Sequence, residues 1–280
     1  MSVFAPETRA AFAAAYPNDH ACLAHGLHEH ALLEREALAR LGETLPERSV
    51  EFNAAKLPVG IAADDVPETG LTIGETIRTI DTACNWAVLK NVEQVPEYAA
   101  LLHDLLEELR APIEAATGPM LKTEAYIFVS SPGAVTPFHF DPEHNILLQV
   151  RGHKTFHVFP AGDPRFAPPT EHERYHAGGH RNLPWQDGFA ECGTQEELEP
   201  GDAIYVPVMA PHYVRNGDRP SISLSITWRS RWSIDEARAH SLNHWLRSLG
   251  ATPNAPNRFP QRNGTKSLAY RIGKRTGVMG

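Results

Sequence analysis

Apolar positions along this chain switch from helical spacing to strand spacing and back. Up to residue 45 they recur every three to four residues. The alanine-rich stretch 7–15 stops at Tyr16-Pro17. In a second helix Leu33, Ala37, Leu38 and Leu41 share one face, with Glu34, Arg35 and Glu36 turned to water. The short alternating run 49–53 predicts a strand. Residues 62–70, with Asp64, Asp65 and Glu68, predict a polar loop, and 72–83 a helix presenting Ile73, Ile77 and Ile80. Residues 86–92 predict another strand. Pro96 suits a helix start, where its missing N–H costs nothing. Leu101, Leu102, Leu105 and Leu106 give the helix over 97–110 a core stripe.

Beyond residue 120 strands take over. Residues 123–130 predict one. The run 145–150 is too apolar for a half-exposed strand, and a second apolar run follows at 155–159. With the turn Arg151-Gly152-His153 between them, the pair predicts a buried β-hairpin. Residues 203–206 form a strand between the turn Glu199-Pro200-Gly201-Asp202 and Pro207. In 220–228, Ser221, Ser223, Ser225 and Thr227 alternate with Ile222, Leu224, Ile226 and Trp228, a strand whose small polar face could line a barrel interior. Ser233 and Glu236 fit a capping box. It opens a helix to residue 250 with Leu242, Trp245, Leu246 and Leu249 on one face, ahead of a Pro/Asn linker at 251–260.

A chain of 280 residues can build one large core or a barrel with helical additions, and its 42% hydrophobic and 21% charged content is that of a soluble globular protein. Cys22, Cys84 and Cys192 are odd in number and widely spaced, which favours a reducing compartment, the cytoplasm, over a disulfide framework. The N-terminus lacks the basic region of a signal peptide, and no apolar run approaches the ~20 residues of a membrane span. Net charge is −8, yet eight Lys and Arg and no Asp or Glu follow Glu236. The basic residues are not in a dense run, so the tail is expected to pack on the acidic remainder or on a partner subunit rather than on nucleic acid.

The candidate chemistry sits where the apolar runs are densest. His139 and Asp141 are two residues apart on a predicted strand, so both point to one face. His212 follows the second strand pair. Two imidazoles and one carboxylate leave about three positions open on a metal, the donor set of non-haem Fe(II) oxygenases. A carboxylate beside Phe138 and Phe140 is costly to bury without a cation. The competing reading, His and Asp satisfying each other, is disfavoured by the spacing and the third His. Lys154 lies on the face of Phe156 and Val158, and a lysine pointing into a barrel needs an anion. Other histidines fit less well. His25, His28 and His30 have no carboxylate or Cys placed to complete a shell and read as surface and capping residues. Within the long insert 160–198, His172, His176 and His180 have i,i+4 spacing, but Gly178 and Gly179 break a helix there. That insert reads as a substrate-facing lid rather than a second metal site.

Gly133-x5-His139-x-Asp141-x3-Asn145-x6-Gly152 resembles the first cupin motif, and Gly201-x5-Pro207-x4-His212-x3-Asn216 the second. Simple cupins carry a second His where Asp141 stands and a Glu where Asn145 stands. The run Thr136-Pro-x-His-x-Asp, with Asn145, Gln149 and Lys154, is similar instead to the JmjC-type, cupin-like 2-oxoglutarate oxygenases, and among them to the asparaginyl hydroxylase type that acts on hypoxia-inducible factor. The matched segments span 125–230. The resemblance implies a mainly β chain: a double-stranded β-helix (cupin or jelly-roll) barrel with N-terminal helices and a C-terminal helical extension. Residues 1–122 would hold the helices and first barrel strands, 123–232 the core, and 233–280 the C-terminal helix and basic tail.

It further implies that His139, Asp141 and His212 bind Fe(II) and carry catalysis. Lys154 would pair with the distal carboxylate of 2-oxoglutarate, with Thr136 adding a hydroxyl and Asn145, Gln149 and Tyr126 nearby. The reaction would consume O2 and release succinate and CO2 as a substrate carbon is hydroxylated. The expected partners are an unidentified protein or small-molecule substrate, with no membrane and no nucleic acid, and a second copy of the chain through the C-terminal helix, whose other role is to cover the barrel. Small-molecule oxidation, demethylation, an O2-independent metal-dependent cupin and a catalytically silent binding module stay open, because fold does not decide among them.

Overall fold

The two apolar runs flanking Gly152 do not pair with each other. In a computed structural model, which describes residues 2–54, 70–82 and 84–279, they stand in different sheets. The polar loop expected at 62–70 lies outside these residues except for Gly70.

In chain order the elements are α1 (Pro6–Ala15), β1 (Ala21–Ala24), α2 (Arg35–Thr44), β2 (Val50–Ala54), α3 (Ile73–Arg78), β3 (Asn85–Lys90), α4 (Pro96–Thr117), β4 (Leu121–Ser130), β5 (Val135–His139), β6 (His144–Arg151), β7 (Lys154–Val158), α5 (Pro169–His176), β8 (Thr194–Leu198), β9 (Asp202–Val206), β10 (His212–Asn216), β11 (Ser221–Arg229), α6 (Arg231–Ser248) and α7 (Gly264–Arg275). The larger sheet has seven strands in the order β1-β9-β6-β11-β4-β3-β2, the smaller four in the order β5-β10-β7-β8. Neighbours pair antiparallel throughout.

This topology replaces the expected hairpin with a corner. β6 already has β9 and β11 on its two sides, so no edge is left for β7, which pairs with β10 and β8. The chain therefore crosses from one sheet to the other at Gly152. That residue has φ +66, and a Cβ there would run into the carbonyl of Pro220. Glycine alone meets both demands cheaply. The step from β9 to β10 crosses between sheets in the same direction. The two crossings bring β5, which ends at His139, beside β10, which begins at His212.

Two hydrophobic layers hold the sheets. Leu147, Ile204 and Val206 of the larger sheet pack on Phe156, Val158 and Val214 of the smaller, inside the barrel. On the outer face Ile146, Leu148, Tyr205, Leu224 and Ile226 pack under Phe12, Leu38, Leu102, Leu105 and Leu109 of the helices. The near-continuous apolar run of β6 follows from this, because both of its faces are buried. α4 runs beyond the expected stop at residue 110. Its stripe continues through the buried Leu109 and Ile113, which offsets the hydrogen bond lost at Pro112.

α6 departs from its expected start and face. The N-cap is Ser230, whose hydroxyl accepts from Ser233 N–H while the Ser233 hydroxyl receives the Ser230 N–H. Its inward face is largely polar (Glu236, His240, Asn243), and Leu249 is exposed. Glu236 is buried because Arg258 meets it at 2.9 Å. The basic tail thus packs partly on the acidic residues before it: Arg258 on Glu236 and Arg247 on Glu173. α7 was not legible in the sequence pattern, since it buries Ser267 and leaves Leu268 and Ile272 outside.

Candidate metal centre and its cavity

His139 is the last residue of β5 and lies opposite His212, the first residue of β10. Their rings are 4.1 Å apart between centroids. Asp141 follows β5 and turns back, its backbone carbonyl accepting from Met209 N–H at 2.8 Å. Asp141 Oδ2 sits 3.5 Å from His139 Nε2 and 3.6 Å from His212 Nε2. Among the described residues this is the one group of three or more His, Cys, Asp or Glu whose ligand atoms all fall within 4.8 Å of one another.

The tautomers follow from the backbone. His139 Nδ1 lies 2.7 Å from the Pro137 carbonyl and His212 Nδ1 lies 2.9 Å from the Ala210 carbonyl. A carbonyl only accepts, so each Nδ1 carries the proton and each Nε2 presents a lone pair toward Asp141. Metal-binding imidazoles are oriented by such bonds from the other ring nitrogen. Phe156 stacks on the His212 ring at 5.1 Å. Burial pushes the His212 imidazole down to about 3, so it is neutral at pH 7. Burial alone would raise the Asp141 carboxyl, but the Arg181 guanidinium and the two imidazoles outweigh it and hold it well below the usual carboxylate range. Two imidazoles with Nε2 turned inward and one carboxylate, converging in this way, fit a divalent cation.

The three donors open into a cavity of about 150 Å³. Thr136, Asn145 and Lys154 line it, as the sequence pattern anticipates; Gln149 and Tyr126 do not. Lys154 is buried at the start of β7, and its ammonium donates to Ser223 Oγ at 2.7 Å. The Ser223 hydroxyl donates on to Gln149 Oε1 at 2.7 Å. Gln149 Nε2 is spent on the carbonyls of Arg151 and Gly152 and on Ser221. Gln149 therefore stands one hydrogen bond behind Lys154. Tyr126 turns its hydroxyl to Glu124 at 2.7 Å. Asn145 Oδ1 accepts from Ser225 at 2.7 Å, so the small polar face of β11 does line the interior. No ion pair of the described residues includes Lys154, and burial pushes its amine down to about 7. Asn216, its neighbour across β7 and β10, has a buried Oδ1 with no hydrogen-bond partner in the same cavity wall. A buried ammonium without an anion among these residues is what a carboxylate ligand would complete.

The sequence pattern gave no sign of Arg181. Residues 181–183 of the insert run beside β5 through an isolated bridge: Leu183 N–H donates to the Phe138 carbonyl at 2.9 Å, and His139 bridges Asn182. His180, Arg181 and Asn182 thereby form one wall of the cavity, and Glu51 and Trp86 stand elsewhere in its lining. Arg181 Nη1 donates to Asp141 Oδ1 at 2.8 Å. His172 and His176 of the same insert lie away from the cavity, against α6.

Residues 34–234 match the profile of a family described as Cupin-like domain. The chain belongs to that cupin-like family. Among its relatives, Lysine-specific demethylase 8 of Xenopus tropicalis is 28% identical over 144 residues, covering 49% of this chain and 31% of that protein. Jumonji C domain-containing protein 5 of Drosophila melanogaster is 33% identical over 102 residues, covering 34% of this chain and 25% of that protein. The chain thus spans about a quarter to a third of the length of these curated relatives. The solved structure of E. coli ycfD superposes with a TM-score of 0.54 over 100% of this chain and 70% of that one, at 17% identity. That likeness establishes the cupin-like fold. Among the described residues no helix is long and apolar enough to cross a membrane.

Proposed function

We propose that this cupin-like chain is an Fe(II)- and 2-oxoglutarate-dependent dioxygenase that hydroxylates a carbon of its substrate. The observation that carries the reading is the pairing, in one cavity, of a preoriented His139–Asp141–His212 donor set with a buried Lys154 that has no anion among the described residues. An O2-independent cupin accounts for the first feature and leaves the second unexplained. His139, Asp141 and His212 would hold the metal, and Lys154 and Thr136 the distal carboxylate of 2-oxoglutarate, with Asn145 beside them.

When bound, the metal and cosubstrate supply the oxidising chemistry, which couples decarboxylation of 2-oxoglutarate to hydroxylation. The chain's own residues do the rest. The carbonyls of Pro137 and Ala210 hold a proton on each Nδ1 and leave both Nε2 atoms for the metal. Ser223 and Gln149 aim the Lys154 ammonium into the cavity. Phe156 and Val214 keep water from its inner end, and the insert residues 180–182 flank its mouth.

The favoured substrate is a polypeptide side chain, in line with the resemblance to asparaginyl hydroxylases. Demethylation is the second reading, favoured by the likeness to a protein named as a lysine demethylase. Three exposed, unpaired cysteines suit a cytoplasmic setting. The exposed Leu249, Leu268 and Ile272 of the C-terminal helices would supply the contact for a second copy. Succinate formation and O2 uptake, measured with Fe(II) and 2-oxoglutarate over a panel of peptides and metabolites, test the activity. Absence of 2-oxoglutarate binding to the Mn(II)-loaded protein by calorimetry overturns it.

A further inference from the structure

Asp141 presents its two oxygens to different neighbours. Oδ2 faces both Nε2 atoms, whereas Oδ1 receives the Arg181 guanidinium at 2.8 Å. Arg181 reaches it because the insert is laid against β5 by the bonds of residues 181–183, and Arg174 braces that segment by donating to the Asn182 carbonyl at 3.0 Å. The Asp141 side chain otherwise has little to fix its rotation. It lies just past the end of β5, and its backbone anchor to Met209 does not constrain the carboxylate.

We infer that Arg181 is a positioning residue for the metal centre. By occupying Oδ1 it fixes the carboxylate plane so that Oδ2 alone is aimed at the site between the imidazoles. This assignment rests on the metal-binding reading of the triad. Two effects of Arg181 oppose each other. Its positive charge repels a divalent cation, and its hydrogen bond orients the ligand. The Arg181 side chain keeps 46% of its surface exposed, so solvent screens part of the repulsion. Orientation dominates, and groups that hydrogen-bond to metal ligands typically contribute 10–100-fold to metal affinity.

Mn(II) titration of the metal-free protein by calorimetry tests this, with thermal melts to show that each variant is folded. Arg181→Leu is expected to bind Mn(II) about 10-fold or more weakly, in line with that range, and Arg181→Lys to recover part of the loss. Arg174→Leu loosens the insert without touching Asp141 and should bind Mn(II) within about threefold of the wild type. The visible spectrum of the Co(II)-loaded protein should change in Arg181→Leu and not in Arg174→Leu. Equal Mn(II) affinity in Arg181→Leu and wild type overturns the assignment alone. So does an equal loss in Arg174→Leu, which would make insert order the cause. Failure of the wild type to bind Mn(II) at all overturns the oxygenase reading together with it.

Discussion

The molecule holds two clusters of buried histidines built to opposite ends. In one, His139 and His212 each spend Nδ1 on a backbone carbonyl and converge their Nε2 atoms on Asp141. In the other, His172, His176 and His240 stack face to face between α5 and α6, 4.9 and 5.6 Å apart between centroids, and the column continues onto Phe140 at 5.0 Å. Among the described residues Nδ1 of His172 and of His240 has no hydrogen-bond partner, and Oε2 of the nearby Glu173 is taken by Arg247 at 2.7 Å. Burial pushes all three imidazoles down, His172 to about 4, His176 to about 3 and His240 to about 2. These rings act as flat, neutral packing groups. A histidine cluster becomes a metal site when the backbone fixes its tautomers and a carboxylate oxygen faces the ring nitrogens left free, and number or spacing alone does not achieve that.

Breaking the first cluster should have the largest effect. His139→Ala, Asp141→Ala and His212→Ala are each expected to abolish stoichiometric iron binding, while His172→Phe and His240→Phe retain it. Metal analysis of the purified variants decides the matter, and unchanged iron in all three alanine variants would reject the site.

Lys154 sharpens the contrast between a satisfied and an unsatisfied charge. A charge-assisted contact to the cosubstrate contributes roughly 1.5–3 kcal/mol. Lys154→Met should therefore weaken 2-oxoglutarate binding by about one to two orders of magnitude, with metal retained. Had a protein carboxylate paired with Lys154, both Met and Ala variants would lose stability. Among the described residues no such carboxylate is present, so Lys154→Met should raise the melting temperature of the cosubstrate-free protein at or below pH 7. The sign follows from the amine's fall to about 7. Between pH 7 and the unfolded-state value near ~10.4 the unfolded chain holds more protons, so stability rises with pH across that window, and the substitution should flatten that slope. Cosubstrate affinity should run the other way, level below pH 7 and falling about tenfold per unit above it, because the bound carboxylate requires the ammonium form. Calorimetric titrations at pH 6.5, 7.5 and 8.5 measure this, and a level affinity would remove Lys154 from the contact.

The triad and Lys154 were legible because strand alternation and motif spacing are local. So was the polar face of β11, which supplies Ser223 and Ser225 to the interior. What escaped depends on contacts distant in sequence. The hairpin expected around Gly152 became a corner because β9 and β11 already flank β6. Gln149 looked like a cavity residue by its face, yet the corner's carbonyls take up its amide. Tyr126 shares the inward side of β4 but turns to Glu124. Arg181 lies 40 residues from Asp141 in a segment without periodicity, and only its pairing with β5 brings it to the carboxylate. The helices at the C-terminus defeated the pattern for another reason. α6 was expected as a helix from Leu242, Trp245, Leu246 and Leu249, but its buried face is largely Glu236, His240 and Asn243, and α7 leaves its apolar pair Leu268 and Ile272 outside.

The smallest expected effect comes from the second cluster and is visible mainly in acid. His172, His176 and His240 are neutral in the folded chain, whereas in the unfolded chain they protonate near ~6.5. Below that pH the unfolded state binds more protons, so their contribution to stability is complete above it and is lost as pH falls toward the folded values. At pH 7 His172→Phe should cost little, since the ring still stacks on Phe140 and the unpartnered Nδ1 disappears. At pH 5 the same variant should be more stable than the wild type, because one of the groups that the unfolded chain protonates is gone. Urea unfolding at the two pH values measures the crossover. An equal difference between variant and wild type at both would mean that His172 is charged in the folded chain, and that the second cluster is not the neutral column its packing describes.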